Sequence, residues 1–414
     1  MDIREFTDTL VAFETTATEE AEAQAWFRDQ LAAMGFETYE WTADAETLAD
    51  HPSFPDNPAE IEVTDRPSVA GVLELGDPEA GPTLVINGHV DVVPADAENW
   101  ASPPFDPTWS EDREELTGRG AVDMKSPLAA AVFAAHDVAA DPEDRDLNGR
   151  IVVESVVGEE EGGIGAAAAA LDNPYPFERD AALVAEPTDL DVITATEGTV
   201  MKELTVHGRS AHAATRWVGE DVLDYFETIR AAFYDLEAER TERCDHPLYQ
   251  EFPIAAPVCI GTVEAGNWAS SVASTLTAGI RIGVLPGETV DEVEAEYEAA
   301  LQEVVDDSEW LSAHPPDFDR FTIQFEPAET DADEPVVRAL QAAMEVTGLS
   351  DTEPKGATYG ADNRHYVAAG IPTVLFGPGT IEQAHFPDET IQWADVEQAR
   401  TTIAETARQF LGGE

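Results

Sequence analysis

Cysteine is nearly absent from this chain: Cys244 and Cys259 are the only two in 414 residues. That excludes a disulfide framework and leaves no thiolate set for a zinc site. Any metal must be held by histidine and carboxylate. Positive charge is scarce as well. Lysine and arginine together number 22 against 85 aspartates and glutamates, giving a formal net charge of -63. The only lysines are Lys125, Lys202 and Lys355. Such a surface makes nucleic acid and anionic membranes poor partners. Long apolar runs are missing too. The start, Met1-Asp2-Ile3-Arg4-Glu5-Phe6, has no signal-peptide character and no stretch reaches membrane-spanning length, so a cytoplasmic protein is expected.

What is present argues for a folded enzyme-sized protein. Hydrophobic residues make up 43% of the chain, and acidic residues are spread through segments that also carry apolar ones. Disorder needs low hydrophobicity as well as charge, so the acidity is a property of a foldable surface. Self-repulsion at this charge destabilises a compact state in dilute buffer, and molar salt shortens the Debye length to about 3 Å. The expectation is a halophilic protein. The length exceeds what one core usually serves, so two domains are expected.

Periodicity places them. Ile3, Phe6, Leu10 and Phe13 sit at helical spacing, and Thr18-Glu19-Glu20 can start a second helix. From Ser68 to Glu186 strands alternate with helices: strands over 69–75, 83–87, 151–157 and 181–185, helices over 128–139 and 165–171. This pattern predicts an α/β sheet with ligands at the strands' carboxyl ends. The pattern then changes to strand 201–207, helix 218–240, strands 255–264 and 275–284, helix 290–305 and strand 321–325. That βα-ββ-αβ order matches a ferredoxin-like α+β unit. The α/β signal resumes with a helix over 335–347, a strand over 372–376 and a terminal helix over 394–411. The reading is a discontinuous domain over 1–197 and 329–414, interrupted by an inserted domain over 198–328.

Five stations fall in loops of the first domain: His89 with Asp91, Asp123, Glu159-Glu160-Glu161 before Gly162-Gly163, Glu186, and His385. Histidine and carboxylate are suitable donors for zinc, cobalt or manganese. Singly, each station has a plainer reading. His89 can be a satisfied buried histidine, and the triple glutamate a solvated loop. Gly118-Arg119-Gly120 lacks the spacing of a phosphate loop, and no suitable strand is expected directly before it. Its glycines suit a tight turn that aims Asp123 at the sheet's active edge.

Taken together, the motifs Gly88-His89-Val90-Asp91-Val92-Val93-Pro94, Gly118-Arg119-Gly120-Ala121-Val122-Asp123-Met124-Lys125, Glu159-Glu160-x-Gly162-Gly163, Glu186-Pro187-Thr188, Gly208-Arg209-Ser210-Ala211-His212-Ala213 and Ala384-His385-x-Pro387-Asp388-Glu389 resemble one family. It is the zinc-dependent family of acetylornithine deacetylase, succinyl-diaminopimelate desuccinylase, aminoacylase and glutamate carboxypeptidase. The resemblance implies a mixed-sheet catalytic domain with an inserted lid and dimerisation domain. It implies two divalent metals, zinc foremost with cobalt or manganese as alternatives. Asp123 would bridge them, with His89 and Glu186 on one and Glu160 and His385 on the other. Glu159 would be the general base and Asp91 the orienter of His89. His212 would stabilise an oxyanion in the partner subunit of a homodimer; without the resemblance, a turn cap is the favoured reading.

Departures from the family bear on substrate. Many relatives carry an arginine for the substrate carboxylate where this chain has Gly283; Arg281 lies on the same strand face and Arg364 is a second candidate contact, or a structural ion pair. The implied reaction is hydrolysis of the amide of an N-acyl amino acid, of acetylornithine deacetylase or desuccinylase type. A dipeptidase or carboxypeptidase using the same metals is the alternative enzyme, and a metal-binding dimeric scaffold the non-enzymatic one.

Overall fold

Four runs rich in valine, isoleucine, leucine and alanine form the centre of the fold. The structure is a computed structural model describing residues 1–141 and 147–413. In it, strands Gly149–Val156, Thr83–His89, Ala181–Val184 and Thr373–Leu375 lie side by side and parallel. Every residue of these strands is buried, as expected for strands covered on both faces. Alternate residues serve opposite layers. Leu84 and Ile86 join Val132 and Ile403 of the helices Lys125–Ala140 and Trp393–Gly412, while Val85 and Val152 join Ala166 and Tyr366 of Ile164–Leu171 and Asn363–Ala368.

Antiparallel strands extend the sheet and make it mixed. Pro67–Leu75 and Glu37–Thr42 lie beyond Gly149–Val156, and Ile193–Thr196 with Ala328–Glu329 lie beyond Thr373–Leu375. The chain leaves the edge at Thr196 and enters a second, four-stranded antiparallel sheet at Gly198. Its order is Val258–Ala265, Thr275–Val284, Gly198–His207, Asp317–Arg320. Helices Val222–Arg243 and Val290–Asp306 cover it, with Ile229, Phe233 and Tyr297 packed on Leu204 and Ile280. A reciprocal capping box of Thr289 and Glu292 starts the second helix.

Three expectations are corrected. The strand placed at 321–325 is formed instead by Asp317–Arg320. Phe318 packs on the second core, and Arg320 pairs with Glu294 and Asp291 at 2.5 Å each. Thr322 turns left-handed (φ 52°), so the following residues become a connector. The long helix starts at Val222 because Asp221 caps it at the Leu223 amide; Ala213–Val218 is a separate short turn. A short strand, Glu115–Thr117, does end directly before Gly118, in a small sheet with Thr108–Trp109 and Thr390–Gln392. That sheet joins the Asp123 turn to the His385 loop. Among the described residues no helix is long and apolar enough to cross a membrane.

Candidate metal centre

Each parallel strand delivers one acidic or histidine group at its carboxyl end. Thr83–His89 ends on His89, Gly149–Val156 runs into the short 3-10 turn Glu159–Glu161, and Ala181–Val184 runs into Glu186. Thr373–Leu375 leads to the loop carrying His385, which has left-handed backbone (φ 61°). Asp123 comes from the turn before helix Lys125–Ala140. The ligand-capable atoms of His89, Asp123 and Glu186 lie within 4.8 Å of one another, and so do those of Asp123, Glu160 and His385. Asp123 is common to both groups.

The contacts inside the pair of clusters are specific. His89 Nε2 is 3.0 Å from Asp123 Oδ1, and its Nδ1 is 2.9 Å from the Asp91 carbonyl. A carbonyl only accepts, so Nδ1 carries the hydrogen and Nε2 is left for the site. The Asp91 carboxylate stands 3.7 Å from Nδ1 and accepts the Glu160 amide through Oδ2 at 3.1 Å. Thus Asp91 fixes the imidazole chiefly by its backbone and the acidic turn by its side chain. His385 Nε2 is 2.9 Å from Glu160 and 3.5 Å from Asp123. Glu161 is drawn aside by Arg66 at 2.6 Å, which leaves Glu159 and Glu160 lining the cavity.

This is a costly collection of charges without cations. Burial first, then the neighbouring carboxylates, push the Glu159 and Glu186 carboxyls well above their usual range. Burial also raises Glu160, against the pull of His385. Burial pulls the His89 imidazole down, but the hydrogen bond to Asp123 and the Asp91 charge carry it well above its ordinary value. Buried carboxylates need compensating charge. Divalent cations fit these donors, which are of the histidine and carboxylate types that bind zinc, cobalt or manganese.

Two acidic residues were given no role in the sequence reading. Glu389, fully buried, accepts hydrogen bonds from the amides of Gly120, Val122 and Asp123 at 3.0, 2.6 and 3.0 Å, and from Arg119 at 2.8 Å. Gly120 is left-handed (φ 81°) in the turn so held. Glu197 links the two sheets; it is buried and bonds Arg281 at 3.1 Å. Burial pushes its carboxyl up to about 8, with Arg281 and Arg240 opposing. A signal for it existed, a lone acid in the apolar run Ile193-Thr194-Ala195-Thr196-Glu197-Gly198-Thr199-Val200.

Beside the clusters lies a cavity of about 380 Å³, floored by Asp123, Glu159, Glu160 and Glu186 and walled by groups such as Met201, Ile323, Phe325 and Tyr359. Arg281 lines it. Arg364 does not: it is buried behind the wall, with its guanidinium 4.1 Å from the Phe325 ring centre and Nη1 donating to the Ala361 carbonyl at 2.7 Å. Nor does it form an ion pair among the described residues: its Nε and Nη2 have no hydrogen-bond partner, and neither carboxylate oxygen of Asp362 has one. His212 is exposed and outside this cavity. Its Nδ1 accepts the Ala214 amide at 3.1 Å, so within one chain it caps a turn.

Comparison with known proteins agrees with this architecture. The family model for peptidase family M20/M25/M40 matches residues 85–409. An N-formyl-4-amino-5-aminomethyl-2-methylpyrimidine deformylase of Halalkalibacterium halodurans is 27% identical over 95% of this chain and 91% of its own length. An acetylornithine deacetylase of Vibrio atlanticus is 26% identical, covering 82% of this chain and 84% of that protein. Among solved structures, an M20 family metallo-carboxypeptidase from Sulfolobus solfataricus superposes with a TM-score of 0.74 at 16% identity over 100% of both chains. Human carnosine dipeptidase 1 gives 0.71 at 16% identity over 98% of this chain and 97% of that one.

Proposed function

Because the chain belongs to peptidase family M20/M25/M40, a family of metal-dependent hydrolases, we propose that its two clusters act together as a two-metal centre that hydrolyses the linear amide of a small N-acyl compound. The observation that carries this reading is Asp123, which belongs at once to the His89–Glu186 group and to the Glu160–His385 group. Cations bound about 3.5–4 Å apart lower the pKa of a water and polarise a scissile carbonyl. His89 and Glu186 would hold one, Glu160 and His385 the other, and zinc is the first choice.

The chain's own groups then divide the work. Glu159 belongs to neither cluster yet lines the cavity, so its carboxylate is free to take a proton from water and hand it to the departing amine nitrogen. Asp91 keeps the His89 ring in one tautomer. The apolar wall of Met201, Ile323 and Phe325 limits water around the reacting amide. The relatives named as deformylase and deacetylase favour a short acyl group. The test is a panel of N-formyl, N-acetyl and N-succinyl compounds and dipeptides, with free acid or free amino acid quantified. Turnover should appear with added zinc, cobalt or manganese and vanish on chelation; no turnover on the whole panel would sink the proposal.

The chain is further proposed to work as a homodimer in a salt-rich cytoplasm. Val258–Ala265 is a largely exposed edge strand whose outer side has no strand partner among the described residues, and Trp217 and Trp268, near His212 in sequence and in the Trp268–Ser271 turn, are 76% and 71% exposed. Pairing this edge with a second copy would bring His212 towards that copy's site as an oxyanion donor. In molar potassium chloride, sedimentation should give twice the chain mass; in dilute buffer, repulsion at a net charge of -63 should melt the fold. A monomer in high salt, or a fold indifferent to salt, would refute the respective part.

A further inference from the structure

The cavity beside the metal centre has an unusual charge arrangement. Its floor is carboxylate, its wall is largely apolar, and Arg281 is its only lysine or arginine among the described residues. That arginine is already spoken for. Nη1 donates to Glu197 Oε1 at 3.1 Å and Nη2 to the Thr358 carbonyl at 3.2 Å. Glu197 has no exposed side-chain surface, and its second oxygen has no hydrogen-bond partner. Arg240, also close to Glu197, cannot take over from Arg281: it is committed to the Gly283 carbonyl at 2.9 Å and to Glu288 at 2.5 Å.

Gly283 completes the arrangement. A Cβ built there would stand 1.8 Å from Glu197 Oε1, so the buried carboxylate occupies the space that any side chain at this position would need. No arginine can reach the cavity from residue 283 while Glu197 is in place. A substrate carboxylate would therefore have to compete with Glu197 for Arg281. Sharing would set two carboxylates on one guanidinium, and drawing Arg281 away would strand the buried Glu197 charge. A neutral acceptor can use the N–H groups of Arg281 not taken by Glu197 and Thr358 without bringing a second negative charge beside the buried one.

We propose that Glu197 is a specificity-determining residue which, by pairing with Arg281 and excluding a side chain at Gly283, selects N-acyl amines that carry no carboxylate on the amine portion over N-acyl amino acids. This rests on the amide-hydrolase reading above and narrows its substrate class. A carbonyl or ring nitrogen on an otherwise apolar amine would meet Arg281, while its hydrocarbon part meets Met201, Ile323 and Phe325.

The matched probes are N-formylbenzylamine and N-formylphenylglycine, which differ by one carboxylate, together with their N-acetyl counterparts. They are assayed on the metal-loaded full chain in molar salt, above the pH at which Glu197 titrates. The benzylamine member should have the higher kcat/KM by about tenfold or more, the effect of one uncompensated charge interaction. Glu197→Gln keeps an acceptor for Arg281 but removes the charge; it should shift the ratio towards the phenylglycine member by about tenfold, mainly through KM. Arg281→Gln should cost the phenylglycine member no more than the benzylamine member. Preference for phenylglycine in the unaltered protein, an unchanged ratio in Glu197→Gln, or a loss confined to the phenylglycine member in Arg281→Gln would each overturn the inference. Turnover with the wrong preference leaves the amide-hydrolase reading standing; no turnover of any probe or of the wider acyl panel removes both.

Discussion

Glu159→Gln is expected to lower kcat by about 10²–10⁴-fold, the range of a lost general base, while metal content stays near two ions per chain. The separation of these two readouts follows from position. Glu159 starts the 3-10 turn after strand Gly149–Val156, so it stands in the cavity next to Glu160 without belonging to either cluster of ligand-capable groups. Glutamine preserves its size and one acceptor oxygen but cannot accept a proton at neutral pH. Single-turnover rates with metal analysis of the same preparation make the check. Retained turnover would remove Glu159 from the base role, and loss of metal along with activity would make it a ligand instead.

Much of this centre was legible before any coordinates. A parallel strand buried on both faces tends to read as a near-continuous apolar run, and 84–86 and 181–185 do so; residues just beyond such runs fall at the sheet's carboxyl edge, where ligands are expected. The order of acidic and histidine stations along the chain carried the rest. Sequence patterning was weaker where a single side chain decided the outcome. Phe321–Phe325 looks more like a strand than Asp317–Arg320, because Phe321, Ile323 and Phe325 alternate with polar residues. Yet Arg320's pairs with Asp291 and Glu294, and the left-handed turn at Thr322, give the ladder to the earlier segment. The fate of Arg364 was equally hidden, since periodicity cannot tell an arginine facing a cavity from one stacked behind its wall on Phe325. Glu389 was left without a role for the same reason. In a chain with 85 acidic residues, nothing in composition marks the few that are buried.

Glu389 supports the prediction with the largest effect on stability. Its carboxylate is the shared acceptor for the Gly120, Val122 and Asp123 amides and the Arg119 guanidinium, all of them buried. Its own carbonyl accepts the Gly118 amide at 3.0 Å. One residue thus ties the turn that presents Asp123 to the strand that follows the His385 loop, and so sets two ligand-bearing segments against each other. Glu389→Ala leaves Arg119 buried without its partner, a change that typically costs about 3–5 kcal/mol, and strips three amides of their acceptor. Urea unfolding in molar salt should show a loss of that order. Glu389→Gln keeps one acceptor oxygen but turns an amide donor towards backbone donors. It should fold, and weaken metal binding by about 10–100-fold, as altered supports of metal ligands do. Equilibrium dialysis against zinc reads this without reference to turnover. If Glu389→Ala unfolds within about 1 kcal/mol of the unaltered chain and Glu389→Gln binds metal as tightly, the turn holds Asp123 by its own geometry. The two loops would then be coupled only through whatever metal both of them hold.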